Sequence, residues 1–156
     1  DILASNKEGQ FPYTPSTNLL YGLQTALDML LDEGLENVFS RHLRLAEAAR
    51  CAVRAWGLEI LCQNADRYSN SLTAVLVPDG HEADQLRKII LENFNMSLGN
   101  GLGRLSGKVF RIGHLGDFNE LSLIGTLGGV EMGLKLAQIP HKSGGAQAAI
   151  DFLAVN

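Results

Sequence analysis

Ser71-Leu72-Thr73-Ala74-Val75-Leu76-Val77-Pro78-Asp79-Gly80 is the stretch that decides how this chain folds. It opens as a short apolar run, rich in β-branched residues, which reads as a strand. It closes on a turn, because proline fixes one φ and glycine permits a positive one. Leu58 to Cys62 has the same short character, and a polar loop separates the two runs. The chain therefore changes at Gly57 from helical periodicity to short strands.

The residues before that change are helical. From Thr17 to Glu33, Leu19, Leu20, Leu23, Ala26, Leu27, Leu30 and Leu31 recur at three-and-four spacing, the mark of an amphipathic helix. Pro15-Ser16-Thr17 supplies its start and Gly34 its stop. A second helix follows, with Leu35, Val38, Phe39, Leu45, Ala46, Ala49, Val53 and Trp56 on one face, and Gly57 ends it.

Past the turn, Glu82 to Asn93 is predicted helical. Met96 to Leu98 and Lys108 to Ile112 are predicted strands around a Gly-rich loop. Asp117 or Asn119 caps a long helix to about Gln138, and Gly144-Gly145 leads into a short terminal helix. The order predicts an α+β fold in which helices cover one face of a small, mainly antiparallel sheet. The first thirty or so residues hold no strand and are expected to pack on something else.

Composition narrows the function classes. The chain has 156 residues, 46% hydrophobic and 19% charged, which suits one globular domain of ordinary size. A net charge of −4 comes without a basic stripe to neutralise phosphates, so no nucleic-acid partner is expected. No long apolar run predicts a membrane span, and no charged-then-apolar start predicts a secretory signal. Cys51 and Cys62 fall in different elements without CxxC spacing, so no disulfide is read from them and a reduced, cytoplasmic setting is the default. The polar start at Asp1, without methionine, suits a fragment of a larger protein.

Several motifs reduce to structural readings. Gly99-Asn100-Gly101-Leu102-Gly103 lacks the last glycine of a dinucleotide fingerprint, where Ser106 stands, and reads as a connection between strands. His42, His81, His114 and His141 show no metal-ligand spacing, so no metal site is expected.

Two places ask for more. In Lys108-Val109-Phe110-Arg111-Ile112-Gly113-His114 an arginine sits inside an apolar strand, on the face it shares with Val109. It either lines a cleft and wants a carboxylate or phosphate for its planar fork, or it lies on an edge strand paired with a surface acid. Phe11-Pro12-Tyr13-Thr14-Pro15-Ser16-Thr17-Asn18 precedes a strong helix. That segment is either an anion site at a helix N-terminus or an ordinary cap with proline setting the entry angle.

Taken in order, four blocks resemble one family. They are Tyr13-Thr14-Pro15-Ser16 with Leu20-Tyr21-Gly22-Leu23; Glu33-Gly34-Leu35-Glu36-Asn37 with Arg41-His42; Ala55-Trp56-Gly57-Leu58; and Gly107 to Gly116, followed by Asn119-Glu120-Leu121 and Gly129-Val130-Glu131-Met132. The chain is similar to the class V, fold-type-I pyridoxal-phosphate aminotransferases, and most closely to the serine–glyoxylate aminotransferases.

The resemblance implies a C-terminal portion. Residues 1–33 would lead in from a large domain, and residues 34–156 would form the small α+β domain. It implies that Arg111 grips the substrate α-carboxylate and that Tyr13 and Thr14 reach the cofactor phosphate of a neighbouring subunit in a homodimer. Family members often carry Tyr or Trp where Phe11 stands. It implies pyridoxal 5'-phosphate as cofactor of the intact enzyme, and transfer of an amino group from serine or alanine to glyoxylate, with amino acids and 2-oxo acids as small-molecule partners. The family's Schiff-base lysine lies upstream of the matched region, so no catalytic residue is assigned and the chain is expected to be inactive alone. The competing expectation is a non-catalytic, stand-alone α+β binding or assembly module derived from that domain.

Overall fold

A computed structural model describes residues 2–155. They divide into two compact units, one up to Phe39 and one from Ser40 onward.

The first unit is helical. It holds α1 (Ile2–Lys7), α2 (Thr17–Glu33) and the start of α3 (Leu35–Trp56). The ends of α2 fall where the Ser-Thr start and the Gly34 stop place them, and the Gly34 amide closes the last turn on the Leu30 carbonyl at 3.0 Å. Neither α1 nor α2 has a buried residue. Nothing in the sequence pattern announces α1, because six residues, apolar at Ile2, Leu3 and Ala4 and polar after, are too few to show a helical period.

The second unit continues α3 and adds β1 (Glu59–Ile60), β2 (Leu72–Leu76), α4 (Ala83–Phe94), β3 (Gly99–Asn100), β4 (Val109–Gly113), α5 (Glu120–Leu136) and α6 (Gly145–Val155). The sheet is antiparallel throughout, in the order β1-β2-β4-β3. This is the expected α+β arrangement. Gly57, with φ of 74°, turns the chain out of α3, a conformation that side chains with a Cβ avoid.

Strand alternation puts the core on one face. Val75 pairs with Phe110 and Thr73 with Ile112, and all four are buried. α3 lays Leu45, Ala48, Ala49, Ala52, Val53 and Trp56 into the same cluster. Each large apolar side chain so buried contributes roughly 1.5–3 kcal/mol against exposure. The helices pack closely where glycines allow it. On α5, a Cβ at Gly133 would run into the Ile90 side chain of α4.

Thr73 and His114 are two polar members of this interior, beside the buried His42 and Arg50. His114 is fully buried, with Nε2 3.0 Å from the Thr73 hydroxyl and Nδ1 3.1 Å from the Asn70 carbonyl. A carbonyl only accepts, so Nδ1 carries the hydrogen and Nε2 accepts from Thr73. Burial pushes the imidazole down to about 4, with nearby Arg50 and His42 acting in the same direction. Both ring nitrogens are occupied, so His114 is a structural histidine.

One strand differs from the sequence reading, and one open alternative is resolved. The edge strand is Gly99–Asn100, not Met96 to Leu98. What makes these two residues a strand is β4, which pairs Gly99 with Arg111 and Asn100 with Phe110. Leu98 is buried in the core, and its carbonyl accepts from Arg87 Nε at 2.8 Å. At α5 the cap is Asn119, whose side chain accepts from the Ser122 amide at 2.9 Å. No helix among the described residues is long and apolar enough to cross a membrane.

Candidate functional site

Arg111 sits at the middle of β4, which is an interior strand flanked by β2 and β3. The alternation of β4 sends Phe110 and Ile112 into the core and leaves Arg111 on the opposite face with Val109. Its cross-strand neighbours there are Ala74 on β2 and Gly99 on β3. Both are small, and neither carries charge. Arg111 Nε is buried without a hydrogen-bond partner. The edge-strand reading with a surface acid does not describe this residue, because the strand is not at an edge.

A buried guanidinium nitrogen without a protein partner is costly, so it marks a place where strain is stored or an acceptor from outside the chain would be favoured. The planar fork is shaped for a carboxylate or phosphate. The residues present therefore fit an anionic ligand at Arg111.

Arg50 shows what a satisfied buried arginine looks like in the same unit. It lines a cavity of about 240 Å³ with Cys62, Tyr68 and Leu72. Its Nε donates to Glu47 at 2.7 Å, another nitrogen donates to the Ser69 carbonyl at 3.2 Å, and it lies 5.0 Å over the Tyr68 ring. That charge is already spoken for.

The strand that carries Arg111 is clamped where it leaves the sheet. Arg41 donates to the carbonyls of Gly116 and Phe118 at 2.8 and 3.2 Å, and the Gly116 amide donates to His42 Nε2 at 3.0 Å. Trp56 Nε1 donates to Glu131 at 2.9 Å, and Glu131 also accepts from the Gly144 and Ala146 amides at the start of α6. Burial pushes the Glu131 carboxyl up, but these donors together hold it below its usual value. The sequence blocks that lie far apart along the chain are thus joined by direct hydrogen bonds.

Tyr13 and Thr14 belong to the first unit, and both are exposed in the segment before α2. Ser16 at the N-cap makes no side-chain hydrogen bond to the helix, so its own hydroxyl does not close that terminus. All five lysines, Lys7, Lys88, Lys108, Lys135 and Lys142, are exposed. Sequence reasoning missed Gly99 and Ala74. The available signal was a residue without a side chain, and one with a single methyl, at strand positions facing an arginine.

No protein-family model matches the sequence. Serine–glyoxylate aminotransferase from Arabidopsis thaliana is 49% identical over 150 residues, which are 96% of this chain and 37% of the relative. The enzyme of the same name from Hyphomicrobium methylovorum is 45% identical, over all of this chain and 39% of its own length. The chain belongs to the class V aminotransferases. What it matches is their C-terminal part, and it spans less than two-fifths of the length of these relatives. A crystal structure of pyridoxamine–pyruvate aminotransferase from Mesorhizobium loti superposes with a TM-score of 0.86 at 33% identity, covering 93% of this chain and 38% of that one. The α+β fold of this aminotransferase portion is that of its relatives.

Proposed function

We propose that the full-length protein carrying this chain transfers an amino group from serine or alanine to glyoxylate. Arg111 binds and orients the substrate carboxylate. Tyr13 and Thr14, beside the open start of α2, help hold the phosphate of pyridoxal 5'-phosphate across a homodimer, in a cytoplasmic setting. When bound, that cofactor supplies the electron sink for amino transfer. The chain's own part is positioning. An amino acid or 2-oxo acid held by two parallel N–H···O bonds keeps its Cα substituents in one orientation.

The observation that carries this reading is the buried, unpartnered Nε of Arg111 between two small neighbours. A reactive lysine needs a desolvated or otherwise perturbed setting. The exposure of all five lysines supports the expectation that this chain alone does not transaminate.

Arg111→Lys in the full-length protein tests the assignment. The charge stays and the fork is lost, so substrate binding weakens by roughly 1–3 kcal/mol while cofactor affinity stays unchanged. An unaltered Michaelis constant and turnover with a lowered melting temperature would make Arg111 structural and overturn the reading.

A further inference from the structure

Gly99 stands in a strand, where glycine is weakly favoured because it brings backbone entropy and no side chain to pack. Its place opposite Arg111 gives a reason. A Cβ at this position would lie 3.0 Å from Arg111 Cβ, 3.0 Å from Nε and 3.5 Å from Cζ. The first two distances are shorter than ordinary carbon contact. Nor can the strand step back freely. Leu98 before it is tied through its carbonyl to Arg87, and Asn100 after it pairs with Phe110. Arg111 Nε has no hydrogen bond to resist displacement. Bulk added at residue 99 would therefore turn the guanidinium away from its Nε contact, while the contact with Arg111 Cβ would ask the two strands to give by a few tenths of an ångström.

We infer that Gly99 is a positioning residue for the Arg111 fork. Its missing side chain leaves the bed on which the guanidinium lies, and so sets the direction from which a carboxylate is received. This rests on the assignment of Arg111 to the substrate carboxylate. Gly99 touches no substrate; it acts only through the arginine.

The test is a cycle of four full-length proteins: unaltered, Gly99→Ala, Arg111→Ala, and the two combined. Glyoxylate affinity and the Michaelis constant for L-serine are read beside cofactor affinity and the thermal melt. Gly99→Ala is expected to weaken glyoxylate and serine binding about tenfold, the scale on which small misplacement of a binding group acts, with cofactor affinity unchanged. With Arg111→Ala already present, Gly99→Ala is expected to add nothing. An equal loss in both backgrounds, or no loss in either, overturns the inference. Arg111→Ala alone reads the assignment beneath it: if that change leaves carboxylate binding intact, the proposed function fails and Gly99 is not the cause. If Gly99→Ala proves too unstable to assay, the combined variant lacks Nε and Cζ and is expected to melt higher. Absence of that recovery also overturns the inference.

Discussion

α2 and α5 are each 17 residues long, and they could hardly be used more differently. α5 buries Leu123, Leu127, Gly129, Val130, Gly133 and Leu134, whereas α2 buries nothing. Yet α2 is the more clearly amphipathic of the two. Leu19, Leu23 and Leu27 remain 73%, 54% and 47% exposed. An apolar stripe is a demand for a partner surface, and the stripe cannot supply that surface. α5, apolar on almost every side, is packed against both α4 and α6.

The contrast is open to direct attack. Leu127→Ala removes a fully buried side chain and should cost about 2–5 kcal/mol. Leu23→Ala on α2 should stay within about 0.5 kcal/mol. Denaturant melts followed by far-UV circular dichroism compare them, and equal losses would break the contrast.

pH sharpens it, because the four histidines all lie beyond the first unit. The folded state favours neutral His114, so the stability this provides is present in full above about pH 6.5. It is lost as pH falls towards about 4, where the folded ring itself takes a proton. The loss should reach up to about 3 kcal/mol. Fluorescence of Trp56, the one tryptophan and a core residue of the second unit, reads it. His114→Asn should flatten the slope, and a slope that persists would remove His114 from the account.

The smallest pair of effects has opposite signs. Gly133→Ala drives a Cβ into Ile90 and should destabilise by about 1–3 kcal/mol. Gly22→Ala on α2 meets nothing within 4 Å and should stabilise by up to about 1 kcal/mol through helix propensity. Matching signs in the two melts would mean that the two helices share one environment.

Legibility followed the range of the forces involved. β2 and β4 were readable because Ser71 to Val77 and Lys108 to Ile112 announce two-residue alternation locally. β3 was not, since Gly99 and Asn100 have little strand preference and become a strand only by pairing with β4. Arg111 was visible as a charge out of place in an apolar strand. That its Nε lies buried and unpartnered was not visible, because it depends on Ala74 and Gly99, which arrive from other strands.

The sequence by itself determined the periods, the helix stops at Gly34 and Gly57, the α+β class and the family, because each of these is written in neighbouring residues or in ordered blocks. Only the tertiary structure decided that Arg41 and His42 hold the turn after β4, that Trp56 meets Glu131, and that Arg111 lies on a bed of glycine and alanine. Those are contacts between residues far apart in the chain. They exist only once sheet pairing and core burial have brought the segments together.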